Sequence, residues 1–306
     1  MNNKEQKQNG IVNLSSSDSG VLYSFAVLTV LLVTIIFSTV MLSVAVTNPK
    51  VMESDAVIIL NYLSGPIAVV MAIGILRLRR KVEIFSALDI KSFDKISVIS
   101  TLLIFLGLTF GLSEVNAVFV SWLEKLGLTV SAPTLPEKTI GGIIASVVCV
   151  CIIPAVIEET LFRGLILSGL KKSGAVFAVI FSGVIFALFH MNPAQTVYQF
   201  IVGSVYALII LYGKNLILTV SMHFINNLYI VLNYYFWNFS FSGAAQIIVT
   251  VIGILCLIGG AMLLILKGNK PECESEDVKG ERAKFLFGAL FGIVATAITW
   301  IVTLVA

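Results

Sequence analysis

The chain has 306 residues; 58% are hydrophobic, only 12% are charged, and the formal net charge is +3. Soluble domains carry roughly 25% charged residues, and mean hydropathy here is +1.01. That balance excludes an ordinary soluble domain and predicts an all-α, polytopic bundle of about 8–9 transmembrane helices. The lipid bilayer is therefore the first expected partner, and no nucleic-acid partner is expected.

Residues 1–20 read as a polar, disordered cytoplasmic tail. The apolar run after them, about 21–46, exceeds the roughly 7–15 residues of a signal-peptide core and reads as an anchor helix. Further apolar segments follow at about 56–76, 96–120, 140–166, 174–190, 194–212, 216–236, 244–266 and 285–305. The fifth is short for a span and ends in His190-Met191-Asn192-Pro193. The proline disfavours helical geometry at Asn192, so the chain is expected to turn there. A charged linker, 267–284, precedes the ninth segment, which could be dispensable to function. The organisation expected is thus a tail (1–20), N-terminal membrane helices (21–138), a core (139–236) and C-terminal helices (237–306).

With nine spans and a cytoplasmic N-terminus, 17 of the 20 Lys and Arg residues fall on the inner side. The outer loops hold only Lys50, Lys125 and Lys138. That asymmetry supports the span count and the orientation together. The basic stretch 77–95, with Ile, Phe and Leu interspersed, reads as a topogenic loop or an interfacial helix on the cytoplasmic leaflet. The four cysteines, Cys149, Cys151, Cys256 and Cys273, form neither a disulfide framework nor a metal-type pair.

Against this background the ionisable residues of the core stand out. Charges at membrane depth cost roughly 2.5–3.5 kcal/mol each on insertion scales, so they are functional candidates by default. Glu159 and Arg163 are i,i+4 and meet on one helix face. Glu158 is rotated away by about 100° and has no local cation, which suits a general acid or base. The chain's two histidines follow: His190 closes Phe186-Ala187-Leu188-Phe189-His190, and His223 stands four residues before Asn227. His223 and Asn227 face the same way and could converge on one ligand or one developing charge. Counted at ~1.5 Å per residue from the expected cytoplasmic helix ends, Glu158 lies about 20 Å deep, His190 about 25 Å and His223 about 13 Å. Tilt and side-chain reach are needed to close that spread.

The ordered set EExxxR, FxxxH and HxxxN is carried by Glu158, Glu159 and Arg163; Phe186 and His190; and His223 and Asn227. It resembles the CPBP family of intramembrane proteases, also called the CAAX-protease and bacteriocin-processing, or Abi, family. The resemblance covers about 139–236. It implies an intramembrane endopeptidase acting on membrane-associated proteins or peptides, in which Glu158 and His190 activate water. His223 and Asn227 would stabilise the oxyanion, with Glu159, Arg163 and Phe186 in support.

Glu158, His190 and His223 also make up the two-His, one-carboxylate set of a catalytic zinc site, although no HExxH motif is present. A metal-free glutamate mechanism is favoured, and zinc stays open. Two other classes remain in view: a non-catalytic scaffold or bacteriocin immunity factor, and a proton-coupled transporter, for which Glu114 and Asn116 are the main hints. The bland reading of Glu114 is a position near the outer end, close to water. A bacterial cytoplasmic membrane is the expected location.

Overall fold

The computed structural model describes residues 14–80, 93–128, 134–237, 241–271 and 275–305. Among these, nine helices account for nearly all the chain, and there is no β-strand. They are α1 (Ser16–Thr47), α2 (Asp55–Arg80), α3 (Lys95–Lys125), α4 (Ile140–Ser173) and α5 (Ala175–Phe189). There follow α6 (Thr196–Gly213), α7 (Leu216–Trp237), α8 (Gly243–Lys267) and α9 (Val278–Val305). Eight are long and apolar enough to cross a membrane; α5, with 15 residues, is the shorter one. Outward-facing Ile35, Leu42, Leu255 and Phe287 are strongly exposed, the face a bilayer would cover.

Two ends differ from the sequence reading. Helix α1 starts within the expected tail, because Ser15 and Asp18 form a reciprocal capping box. Its first turns are then held by tertiary contacts: Ser16 Oγ donates to Gly169 O at 3.0 Å. Helix α9 begins at Val278, inside the expected linker. Arg282 Nε donates to Ser173 O at 3.0 Å, so this turn docks on the end of α4. Its far end is tied too, by Trp300 Nε1 donating to Thr196 Oγ1 at 2.7 Å. The ninth helix packs into the bundle along α1. Tyr23 and Thr296 hydroxyls meet there at 3.3 Å. The expected interfacial segment falls mostly on 81–92, outside the described residues, as does Cys273.

Contacts among the helix ends sort them onto two opposite faces. One face gathers the starts of α1 and α9 and the end of α4, where Lys172 Nζ also donates to Leu14 O at 3.1 Å. The opposite face gathers the starts of α2 and α4 and the end of α7: Glu137 N donates to Asp55 Oδ1 at 2.8 Å, and Tyr235 OH to Pro136 O at 2.8 Å. Short α5 completes its crossing through the turn at 190–195.

Four π-type wide turns interrupt the helices: Gly107–Leu112 in α3, Val147–Ile152 and Thr160–Ile166 in α4, and Asn233–Trp237 in α7. Such turns are rare in helices and concentrate at functional sites. Cys149 and Cys151 lie in the first α4 turn as buried free thiols, the small hydrophobes expected of them.

Close helix contact in a membrane relies on small residues. At the α5–α6 crossing, a Cβ on Gly203 would lie 2.8 Å from Gly183 Cα and 2.9 Å from Phe186 Cβ. This contact brings α6 under the aromatic ring of Phe186, which is where the functional residues begin.

Candidate active site

Helix α5 ends at His190 for a local reason. The His190 N–H turns to Ala187 O at 3.3 Å, which frees the carbonyl of Phe186. His190 Nδ1 takes that carbonyl at 2.8 Å. A carbonyl only accepts, so Nδ1 carries the proton, and in the neutral ring Nε2 keeps its lone pair. The chain then reverses through Met191 at φ 49° and an extended Asn192 before Pro193, the turn expected from the proline. The Asn192 side chain caps the next turn by accepting from Ala194 N at 3.0 Å.

Below this turn lies a buried ionic relay. Arg163 Nη1 donates to Glu159 Oε1 at 3.0 Å, with both side chains fully buried. The same oxygen meets His223 Nδ1 at 3.0 Å. The guanidinium is packed among rings, 4.2 Å from the Phe186 centroid and 5.1 Å from that of Tyr206. Its Nη2 donates to Gly203 O at 3.4 Å. Phe186 is the common wall of the site: its ring lies 4.8 Å from His190 and 6.4 Å from His223.

Glu158, one residue earlier, points elsewhere. It is half-buried, and its Oε2 is enclosed with no hydrogen-bond partner among the described residues. It lies within electrostatic reach of His190 and Arg163. The two adjacent glutamates therefore differ as their helical rotation predicts: Glu159 is held in a relay through Oε1, its Oε2 also lacking a partner among the described residues, while Glu158 stands outside that relay.

His223 and Asn227 share a face of α7 and bind different groups of α4. His223 is held by Glu159, while Asn227 Nδ2 donates to Val150 O at 2.9 Å, nine residues back along α4. The expected depth spread also closes, since Glu159 and His223 are in contact. Counting from helix ends failed because α4 has 34 residues. That is about 51 Å if straight, against a hydrocarbon core of about 30 Å, and two wide turns shift its register.

Glu158, His190 and His223 do not form a ligand cluster: no group of three His, Cys, Asp or Glu among the described residues is arranged to hold a metal ion. His223 Nδ1 meets Glu159 and His190 Nδ1 meets a backbone carbonyl, so each ring would present its Nε2 edge to a bound molecule.

Several participants escape the motifs. Tyr206 and Gly203 cradle Arg163, and Tyr198 OH donates to Asn226 Oδ1 at 2.7 Å. Asn226 Nδ2 is in turn 3.5 Å from Asn227 Oδ1. The adjacent Asn226-Asn227 pair, unusual in an apolar helix, was the available signal. Glu114, which is part-buried, receives a hydrogen bond from Gln246 of α8.

Among known proteins, no curated protein and no solved structure matches the chain. Residues 140–229 match the family model described as type II CAAX prenyl endopeptidase Rce1-like. The matched stretch contains all three motifs and every residue of the ionic relay, so over these residues the chain is similar to that family of membrane peptidases.

Proposed function

We propose that this protein is an intramembrane endopeptidase that hydrolyses peptide bonds of membrane-associated proteins or peptides with a glutamate-activated water. The observation that carries the reading is Glu158: a carboxyl oxygen enclosed with no hydrogen-bond partner among the described residues, beside His190 and the Glu159–Arg163–His223 relay. A buried polar atom left unpaired in a native site calls for an explanation, and a water between Glu158 and His190 supplies one.

The chemistry balances as follows. His190 Nε2 accepts one hydrogen of the water. The Glu158 carboxylate takes the other as the water oxygen attacks the scissile carbonyl carbon. The oxyanion receives the second Asn227 amide N–H and the Nε2 edge of His223, with a proton on it. The C–N bond then breaks, and the proton held by Glu158 passes to the leaving nitrogen. The products are a carboxylic acid and an amine, which become a carboxylate and an ammonium when the acid's proton passes to the amine, and Glu158 is ionised again. Glu159 and Arg163 act through His223, fixing the ring so that Nε2 faces the substrate.

Orientation belongs to the same proposal. The face that gathers the start of α1, the end of α4 and the start of α9 carries Lys171, Lys172, Lys279, Arg282 and Lys284. The positive-inside rule places it, and the N-terminus, in the cytoplasm; a bacterial cytoplasmic membrane fits this arrangement.

The test is cleavage by the purified, membrane-embedded protein. Glu158→Ala and His190→Ala each abolish cleavage while the protein still inserts. Normal cleavage by both variants would overturn the proposal.

A further inference from the structure

Beside the candidate site, between α3, α6 and α7, lies a cavity of about 300 Å³. This is the lower end of the range of about 300–1,000 Å³ typical of ligand sites. Its lining is uncharged but polar: five carboxamides reach it, from Asn116, Gln195, Gln199, Asn226 and Asn227. Two of its residues carry a buried polar atom with no hydrogen-bond partner among the described residues. Thr109 Oγ1 and Asn116 Oδ1 are both enclosed, and the Thr109 residue is only 7% exposed. Thr109 stands on the wide turn of α3, Gly107–Leu112. The cavity wall therefore holds hydrogen-bonding capacity that the described residues do not use among themselves. In a membrane-spanning bundle such capacity is costly unless something else meets it.

We infer that this cavity is a subsite for the main chain of an extended peptide, held by Asn116 and Gln199 next to Asn227. The inference rests on the peptidase reading above. A carboxamide carries a donor and an acceptor side by side, as a peptide group does. A wall of neutral carboxamides thus pairs with backbone N–H and C=O of any sequence, without committing to a charge. The ring of Tyr229 and the side chain of Ile230 give the same cavity apolar surface for substrate side chains. The register with chemistry is built in. Asn227 lines the cavity and also belongs to the candidate site, and the Tyr198–Asn226–Asn227 chain of hydrogen bonds links the two. Asn116 and Gln199 are binding residues in this scheme and take no part in the proton transfers.

The experiment measures equilibrium binding of dye-labelled, uncharged decapeptides to the full chain in nanodiscs by fluorescence anisotropy. Cleavage of the same peptides is followed in parallel. Peptides bind wild type and Glu158→Gln alike. Asn116→Leu and Gln199→Leu each weaken binding about tenfold, the scale of one net hydrogen bond, with the thermal midpoint unchanged. Methylating single backbone nitrogens of the best peptide weakens binding to wild type at one or two positions, and that penalty vanishes in the variant whose carboxamide served the methylated group. Variants that bind as tightly as wild type, or no peptide binding at all, overturn the inference. Binding without cleavage contradicts the peptidase reading and leaves the subsite standing. A fall in cleavage rate with unchanged binding shows a water reservoir in place of a peptide site.

Discussion

Glu159 Oε1 lies 3.0 Å from Arg163 Nη1 and 3.0 Å from His223 Nδ1. One carboxylate oxygen therefore joins a within-helix ion pair of α4 to a residue of α7. Removing one partner of a buried pair leaves an uncompensated charge, at a cost of about 3–5 kcal/mol. Arg163→Leu is accordingly expected to lower the thermal midpoint more than the double change Glu159→Leu with Arg163→Leu, which removes both charges. Thermal unfolding in detergent checks the ranking. A double variant no more stable than Arg163→Leu would show that the pair is not the unit of stability.

The α5–α6 crossing gives a steric test. Gly203→Val places a side chain where even a Cβ lies 2.8 Å from Gly183 Cα. The helices must separate, at the roughly 1–3 kcal/mol usual for overpacking, and Phe186 must leave the Arg163 guanidinium. Cleavage is expected to fall at least as far as stability does. Near-normal activity at a reduced midpoint would mean that the Phe186 wall does not position the site.

Asn227 tests the oxyanion assignment. Asn227→Leu keeps the side-chain volume and removes both amide donors; removal of one oxyanion donor costs about 10²–10³ in kcat in known cases. The expected result is a loss of that order in kcat with KM little changed. A rise in KM alone would make Asn227 a binding residue.

Much of this arrangement was legible in the sequence because membrane insertion makes polar residues conspicuous. Glu158, Glu159, Arg163, His190, His223 and Asn227 stand out against apolar neighbours, and the i,i+4 rule pairs Glu159 with Arg163 without any structure. The turn after His190 follows from Pro193. What was not legible depends on geometry between helices. The depth of Glu159 relative to His223 turns on the wide turns of α4, and no residue pattern announces a π-type turn. Tyr198, Gln199 and Thr109 read as ordinary helix residues until three helices bring them to one cavity. The early start of α1 was hidden because Ser16 and Ser19 look like tail residues; their burial against α4 is a tertiary effect.

Metal dependence gives a further check. Since no three His, Cys, Asp or Glu residues among the described ones are grouped to hold a metal ion, active purified protein is expected to hold less than stoichiometric zinc and to keep its activity on chelation. Stoichiometric zinc, with activity lost on chelation and restored by zinc, would contradict the glutamate mechanism.

Peptide-bond hydrolysis at Glu158 is best tested by a paired N-terminomic and peptidomic comparison of cells expressing wild type or Glu158→Gln at matched membrane levels. New termini found only with wild type, from membrane-associated proteins or peptides, are the predicted result, and they give the cleavage site as well. Identical profiles with no build-up of precursor would contradict it.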